Sequence, residues 1–259
     1  VSGQLALVIA MLLGTAAGML LGLMHAYASV TMQANQAISG MAINILAPAI
    51  AVFVAKEVTP SELIPFRQRF FLPTVPVLSE IPIIGPVFFE RAYITTYVAI
   101  AVFLVSLFVV KKTRFGLRLR ASGEHPHALD AAGVKVGRIR YASVLISGGL
   151  AGLGGIVFFI PTSVEFSANV SGYGFLAIAV LVFSKWDIRR IIVTSVFFGL
   201  MQTIASAYSG IPFLAELDFI PAEIYKMLPY VATLVVLAFS RGEANAPAAI
   251  GVPYDASSR

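Results

Sequence analysis

The residues of this chain best suited to touching a solute are neutral amides and hydroxyls set among apolar neighbours: Asn35, Gln36, Ser39 and Asn44, then Thr194, Ser195, Gln202 and Thr203. Such groups hydrogen-bond an uncharged polar molecule without the cost of burying a charge. Asn35 and Ser39 stand at i and i+4, and Gln36 and Asn44 lie two such steps apart, so a helix carries them on two neighbouring strips of one face. That face is a candidate lining for a solute path. The plainer alternative is that the same groups bond across helices or back to their own backbones.

The patterns for reaction chemistry are missing. No apolar run has Asp, Glu, Lys or Arg near its middle; Lys226 comes nearest and is long enough to snorkel outward. Coupling to an ion gradient through an intramembrane carboxylate is therefore not expected, and any energy must enter from outside the membrane. There is no acid–base or nucleophile cluster. The chain has no cysteine, hence no disulfide framework or thiolate metal site. His125 and His127, flanking Pro126, are too sparse a pair to predict a metal. No Gly-x-x-x-x-Gly-Lys-Ser/Thr loop is present, so the chain is not expected to hold ATP or any other cofactor by that motif.

What must position the polar groups follows from composition. Of 259 residues, 58% are hydrophobic and 12% charged, and the mean hydropathy is +0.88. A water-soluble surface needs more charge than that. Apolar runs of about 17–25 residues, one bilayer thickness as helices, recur along the chain. They predict an all-α, polytopic transmembrane bundle of about six to seven spans, read as one transmembrane domain over 1–259. The expected spans are Gln4–His25, Asn35–Val54, Tyr93–Val110, Tyr141–Ile160, Val170–Phe183 (short, either tilted or broken at Gly172 and Gly174), Ile191–Tyr208 and Ile224–Phe239. Gly14, Gly18 and Gly22 recur every fourth residue. Gly148, Gly149, Gly152, Gly154 and Gly155 cluster in a later span. Both sets predict close helix packing.

Prolines at 60, 65, 73, 76, 82 and 86 forbid a long helix across 56–92. This is expected to be an external loop, with a short helix near Thr59–Leu63 opened by a capping box. A second external loop is expected at Ser209–Glu223. The basic residues gather at 111–140 and again at Lys185, Arg189 and Arg190, and the polar tail at 241–259 falls on the same side. By the positive-inside rule that side is cytoplasmic. The net charge of +5 thus reports orientation rather than nucleic-acid binding. The first span begins almost at once, without the basic stretch of a cleavable signal peptide.

Within the basic loop, Pro126 can open a short helix, Ala128–Ala132 can continue it and Gly133 can stop it. The stretch Thr113–Gly155 resembles the cytoplasmic signature of the permeases of bacterial ABC importers for branched-chain amino acids, simple sugars and nucleosides. The pattern Thr-x-Phe-Gly-x-x-x-Arg-Ala-x-Gly-Glu-x-Pro-x-Ala-x-x-x-x-Gly falls on Thr113, Phe115, Gly116, Arg120, Ala121, Gly123, Glu124, Pro126, Ala128 and Gly133. The stretches ANQAISGMAINILAPAI, LSEIPIIGPVFF, SGYGFLAIAVLVFSKWD and MLPYVATLVVLA, and the tail APAAIGVPYD, are similar to the nucleoside branch. The sequence departs from that pattern after Trp186, where it reads Asp187-Ile188-Arg189-Arg190.

The resemblance implies further helices ahead of the first span, so the chain is expected to lack its first portion. It also implies a multi-pass subunit of the bacterial cell membrane. Its partners would be a second permease subunit (identical or different), an ABC ATPase that carries ATP and magnesium, an extracytoplasmic binding protein and membrane lipid. Arg120, Gly123, Glu124, His125, Pro126, Ala128, Ala132 and Gly133 would form a coupling helix against the ATPase. A sugar permease of the same family and a self-sufficient channel for a small neutral solute are the alternatives. The expected orientation is directly testable: labelling or proteolysis should reach Glu124–His127 only after cells are opened, and attack from the outer face of intact cells would reverse the topology.

Overall fold

The computed structural model describes residues 3–59, 64–65, 70–74, 89–163, 165–166, 168, 170, 172–207, 210, 222–239 and 246–255. The helices are α1 (Gly3–Ala26), α2 (Gln36–Val58), α3 (Ile94–Lys112), α4 (Arg114–Glu124), α5 (Pro126–Ala131), α6 (Val136–Thr162), α7 (Tyr173–Phe183), α8 (Ile188–Ala207) and α9 (Ala222–Phe239). Two short antiparallel ladders accompany them, β1 (Ile64–Pro65) with β4 (Glu165–Phe166) and β2 (Phe71–Thr74) with β3 (Glu90–Tyr93). The chain falls into two compact units, Val1–Asn169 with Pro247–Arg259, and Val170–Ala246.

Five described helices are long and apolar enough to cross a bilayer: Gly3–Thr31 (α1 with the turn after it), α2, α3, α6 and α8. Their large side chains point outward around the circumference, with Leu12 66%, Ile45 74% and Val193 70% exposed. Helices apolar on every side are at home in lipid, where all backbone groups are satisfied within the helix. The protein is a multi-pass membrane protein. Of the two forms expected for Val170–Phe183, a tilted span or one broken at Gly172 and Gly174, the structure has the break at Gly172. The helix is only 11 residues, about 16 Å at 1.5 Å per residue and short of a hydrocarbon core of about 30 Å. It starts after Gly172, whose φ of 77° is open to glycine at little cost.

Other boundaries moved for local reasons. α2 runs on through Lys56 to Val58, three turns beyond Pro48, which interrupts only the bond to the Asn44 carbonyl. Thr59 ends that helix, its N–H and Oγ1 both donating to the Ala55 carbonyl at 2.8 and 3.0 Å. The short helix expected at Thr59–Leu63, most of the proline-rich stretch and the loop at Ser209–Glu223 lie outside the described residues. α6 starts at Val136, so Arg138 and Arg140 are helical rather than in a loop.

In the first unit α1 and α6 meet at their glycines. A Cβ on Gly14 would lie 3.3 Å from the Gly152 oxygen, and one on Gly22 would lie 3.1 Å from the Val144 oxygen. Cβ atoms on Gly18, Gly148 or Gly152 would overlap carbonyl oxygens of the facing helix outright. Gly149 belongs to the same surface, filled there by Met19 and Thr15. Gly154 and Gly155, expected to join it, face open space. At about 100° per residue Gly154 stands about 200° round the helix from Gly152, off the seam, whereas Gly155 lies within about 20° of the Gly148 face and is open because no described neighbour reaches it.

Between α1 and α2 the chain makes a π-turn over Tyr27–Thr31. Ser29 Oγ donates to the His25 carbonyl at 2.7 Å, and His25 Nδ1 meets Ser39 Oγ at 2.9 Å. In the second unit Phe198 of α8, buried to 1% exposure, lies 5.3 Å from the ring of Phe183 in α7. Lys185 and Trp186 turn the chain with φ of 51° and 61°. Asp187 Oδ1 then accepts from the Arg189 N–H at 2.8 Å and starts α8.

Gly18→Ala should lower stability by about 1–3 kcal/mol, because the added methyl meets backbone that no rotamer change can move. Gly154→Ala should be neutral or stabilising by up to about 1 kcal/mol, since only helix entropy changes. Denaturant unfolding in detergent checks both, and equal effects would refute the seam.

Candidate functional site

The segment between α3 and α6 forms an elbow of two short helices. Thr113 closes one helix and opens the next: its Oγ1 donates to the Val109 carbonyl at 2.6 Å and accepts from the Gly116 N–H at 3.1 Å. Gly116 rests on the last turn of α3, where a Cβ would lie 2.6 Å from Val110 Cα and overlap the Val109 oxygen. The Thr and Gly of the Thr-x-Phe-Gly pattern are thus a cap and a close approach. α4, which sequence reasoning left as a basic arm, buries Gly116 and Ser122 and exposes Arg114, Arg118 and Arg120.

His125 breaks the helix with φ −138° and ψ 76°, and Pro126 occupies the first position of α5, where its missing N–H costs nothing. α5 is held down by Leu129, which is buried, and presents Ala128, Ala131 and Ala132 to the outside. Gly133 stops it with φ 78°. The N–H of Val134 then closes on the Leu129 carbonyl at 3.3 Å, a Schellman-type ending. Glu124 and His125 are exposed at the bend.

Sequence reasoning missed what lies across this elbow. Residues 246–255 return to it from the end of the chain. Ala249 N–H donates to the Gly123 carbonyl at 2.8 Å. Ala248 N–H points at Glu124 Oε2 from 3.5 Å, a weak bond at most. Tyr254 places its ring 5.2 Å from that of His127. Arg140 of α6 donates to the Val252 carbonyl at 2.8 Å and sits 5.8 Å above the Tyr254 ring. Gln33 in the α1–α2 turn donates to the Tyr254 carbonyl at 3.3 Å. The signal available in the sequence was the word APAAIGVPYD itself, two prolines and a tyrosine in an otherwise polar tail.

The candidate path residues occupy different settings. Asn35 caps α2, its Oδ1 accepting from the N–H groups of Ala37 and Ile38 at 2.9 and 3.2 Å. Ser39 is tied to His25. Gln36 is half-buried in the first turn, while Asn44 is exposed beside Ile45. Thr194 and Thr203 bond back to their own helix, at the carbonyls of Arg190 and Gly199.

Gln202 differs from them, because its Nε2 donates across to Tyr173 Oη at 2.9 Å. The pair lines a cavity of about 430 Å³ in the second unit, together with Phe175, Tyr230 and Thr233. A cleft of about 420 Å³ between α1 and α2 is lined by Leu20, Ile50, Val54 and other purely apolar residues, which suits lipid or another helix and no polar solute.

Helices long and apolar enough to cross a bilayer, two of them joined by an exposed elbow, define an integral membrane protein. The chain belongs to the family described as branched-chain amino acid transport system / permease component, matched over residues 1–237. It is 39% identical over 250 residues to the guanosine ABC transporter permease protein NupQ of Bacillus subtilis, covering 95% of this chain and 77% of that one. It is 38% identical over 247 residues to the nucleoside ABC transporter permease protein NupC of Lactococcus lactis, with the same shares. TsgC13 of Haloferax volcanii, described provisionally as a glucose ABC transporter permease protein, is 28% identical over 241 residues, covering 88% of this chain and 73% of its own. No solved structure matches.

Replacing Thr113 by Val removes the α4 cap and should cost the elbow about 1 kcal/mol. The expected outcome is faster tryptic cutting at Arg114–Arg120 with membrane insertion unchanged; identical digestion would show that the cap is not what holds α4.

Proposed function

We propose that this permease is the membrane subunit of an ATP-driven importer in a bacterial cell membrane, and that its solute is a nucleoside. The observation that carries the reading is similarity along almost the whole chain to two permeases named for guanosine and nucleosides. The cavity of the second unit supports it. Tyr173, Phe175 and Tyr230 offer aromatic faces to a flat base, and Gln202 and Thr233 offer neutral hydrogen-bonding groups to an uncharged ligand. The lower similarity to TsgC13 favours a sugar as the second reading; sugar hydroxyls would use the same amide and hydroxyl groups but leave the aromatic faces with less to do.

In this reading the elbow lies in the cytoplasm and docks on a separate ATPase, which holds ATP and magnesium. The alanine face of α5 (Ala128, Ala131, Ala132) enters a groove of that partner. Arg120, Gly123, Glu124, His125, Pro126 and Gly133 shape and flank it. A second permease subunit completes the path, and a binding protein outside the membrane delivers the solute. Closure of the nucleotide sites biases two packings of the helices, and alternating access needs no charged group at depth. In the second unit Gln202 is assigned to the cavity it lines; in the first, Gln36 and Asn44 of α2 are the polar side chains assigned to a solute path. Asn35 and Ser39 act there through the backbone and His25 they hold.

Reconstituted with its partners, the complex should import labelled guanosine when ATP is supplied and glucose far more slowly; the reverse preference would turn the assignment to sugars. Uptake by this chain alone, without an ATPase, would make it a channel. Gln202→Ala should slow uptake about tenfold, the worth of one hydrogen bond of about 1.5 kcal/mol, and leave ATPase docking intact. Bulky residues at Gly123–Ala128 should abolish uptake while insertion persists.

A further inference from the structure

The C-terminal tail touches every element that the elbow would have to move. It bonds to the end of α4 at Gly123, meets α5 through the His127–Tyr254 ring contact, and accepts from Arg140 of α6 at Val252. At Tyr254 it also accepts from Gln33 in the turn leaving α1. It is itself bent to fit: Ile250 N–H closes on the Pro247 carbonyl at 3.0 Å, Val252 N–H on Ala249 at 3.3 Å, and Gly251 takes φ 73°. The contact at α4 leaves no slack, for a Cβ on Gly123 would come within 3.2 Å of Pro247 Cβ.

The elbow by itself is hinged. His125 interrupts the helix between α4 and α5, and Gly133 with the residues after it interrupts the chain between α5 and α6. A hinge absorbs a push instead of passing it on. With residues 246–255 in place, both breaks are bridged by groups outside the hinge: the Gly123 carbonyl before the first break, His127 between them and Arg140 beyond the second.

We propose that the tail is a brace that locks α4, α5 and α6 into one lever, so that force on the elbow reaches α6 and, through its glycine seam, α1. Tyr254 and Arg140 are the positioning residues of this brace; neither touches the solute. The proposal rests on the coupling role given to the elbow above, and it adds that the elbow transmits force only while the tail is seated.

Geometry and consequence can be tested apart. The chain has no cysteine, and G123C/P247C places two Cβ atoms about 3.2 Å apart, slightly under the usual disulfide range of about 3.5–4.5 Å. Mild oxidation of the complex in native membranes should therefore join them, read as loss of both sites for a maleimide–polyethylene glycol mobility tag. Failure to cross-link overturns the brace.

For the consequence, Tyr254→Ala, Arg140→Ala and a chain ended after Ala246 should assemble with the ATPase. They should lose the stimulation of ATP hydrolysis by the solute-loaded binding protein by about fivefold or more, the scale of a typical inter-site coupling. Guanosine imported per ATP should fall in parallel. Tyr254→Phe keeps the ring and should behave as the unaltered protein, which a loss of folding alone does not explain. Unchanged stimulation and uptake in Tyr254→Ala would overturn the brace while leaving the importer reading intact. Absence of guanosine uptake by the unaltered complex would sink the importer reading instead, and disulfide formation would then decide the brace.

Discussion

The first unit depends on two helix backbones approaching more closely than any side chain permits. α1 and α6 meet where Gly14, Gly18 and Gly22 face Gly148 and Gly152, with carbonyl oxygens of one helix occupying the space a Cβ would take on the other. In water such a contact would be a minor supplement to hydrophobic burial. In lipid the surrounding acyl chains are as apolar as leucine, so burial offers little and backbone proximity becomes a main source of attraction. This explains why so few side chains are buried in helices so apolar, and why Leu12 or Ile45 can point outward without penalty.

A seam of bare backbone has a second property. With few interdigitating side chains, such a contact resists sliding less than a packed core does. α6 runs from that seam to Arg140, where the returning tail engages it. The elbow is built from local rules, a threonine cap, a proline start and a glycine stop. Its seating comes from residues 246–255, far away in sequence.

The second unit follows a different logic. α7 is too short to cross a bilayer and begins at a left-handed glycine, so backbone and polar side chains meet at its start, where Tyr173 bonds to Gln202. Within a membrane, non-helical backbone is tolerated where it lines a cavity rather than lipid, and a cavity with both aromatic and neutral polar walls lies beside this start.

The order of the apolar helices, their lipid-facing character and the start and stop of α5 were legible in the sequence, because each is set by residues within a few positions: hydropathy, Pro126, Gly133; α4 and its Thr113 cap came from the structure. Which glycines pair was only half legible. The four-residue spacing marked Gly14, Gly18 and Gly22, but nothing local separates Gly152, which faces α1, from Gly155, which does not. On α2, spacing puts Asn35 and Ser39 on one strip but cannot reveal that Asn35 caps the helix and Ser39 meets His25. The tail across the elbow was decided by tertiary structure alone. Its bonds join residues more than a hundred positions apart, mostly through backbone carbonyls, and a carbonyl leaves no mark on the identity of the residue that bears it.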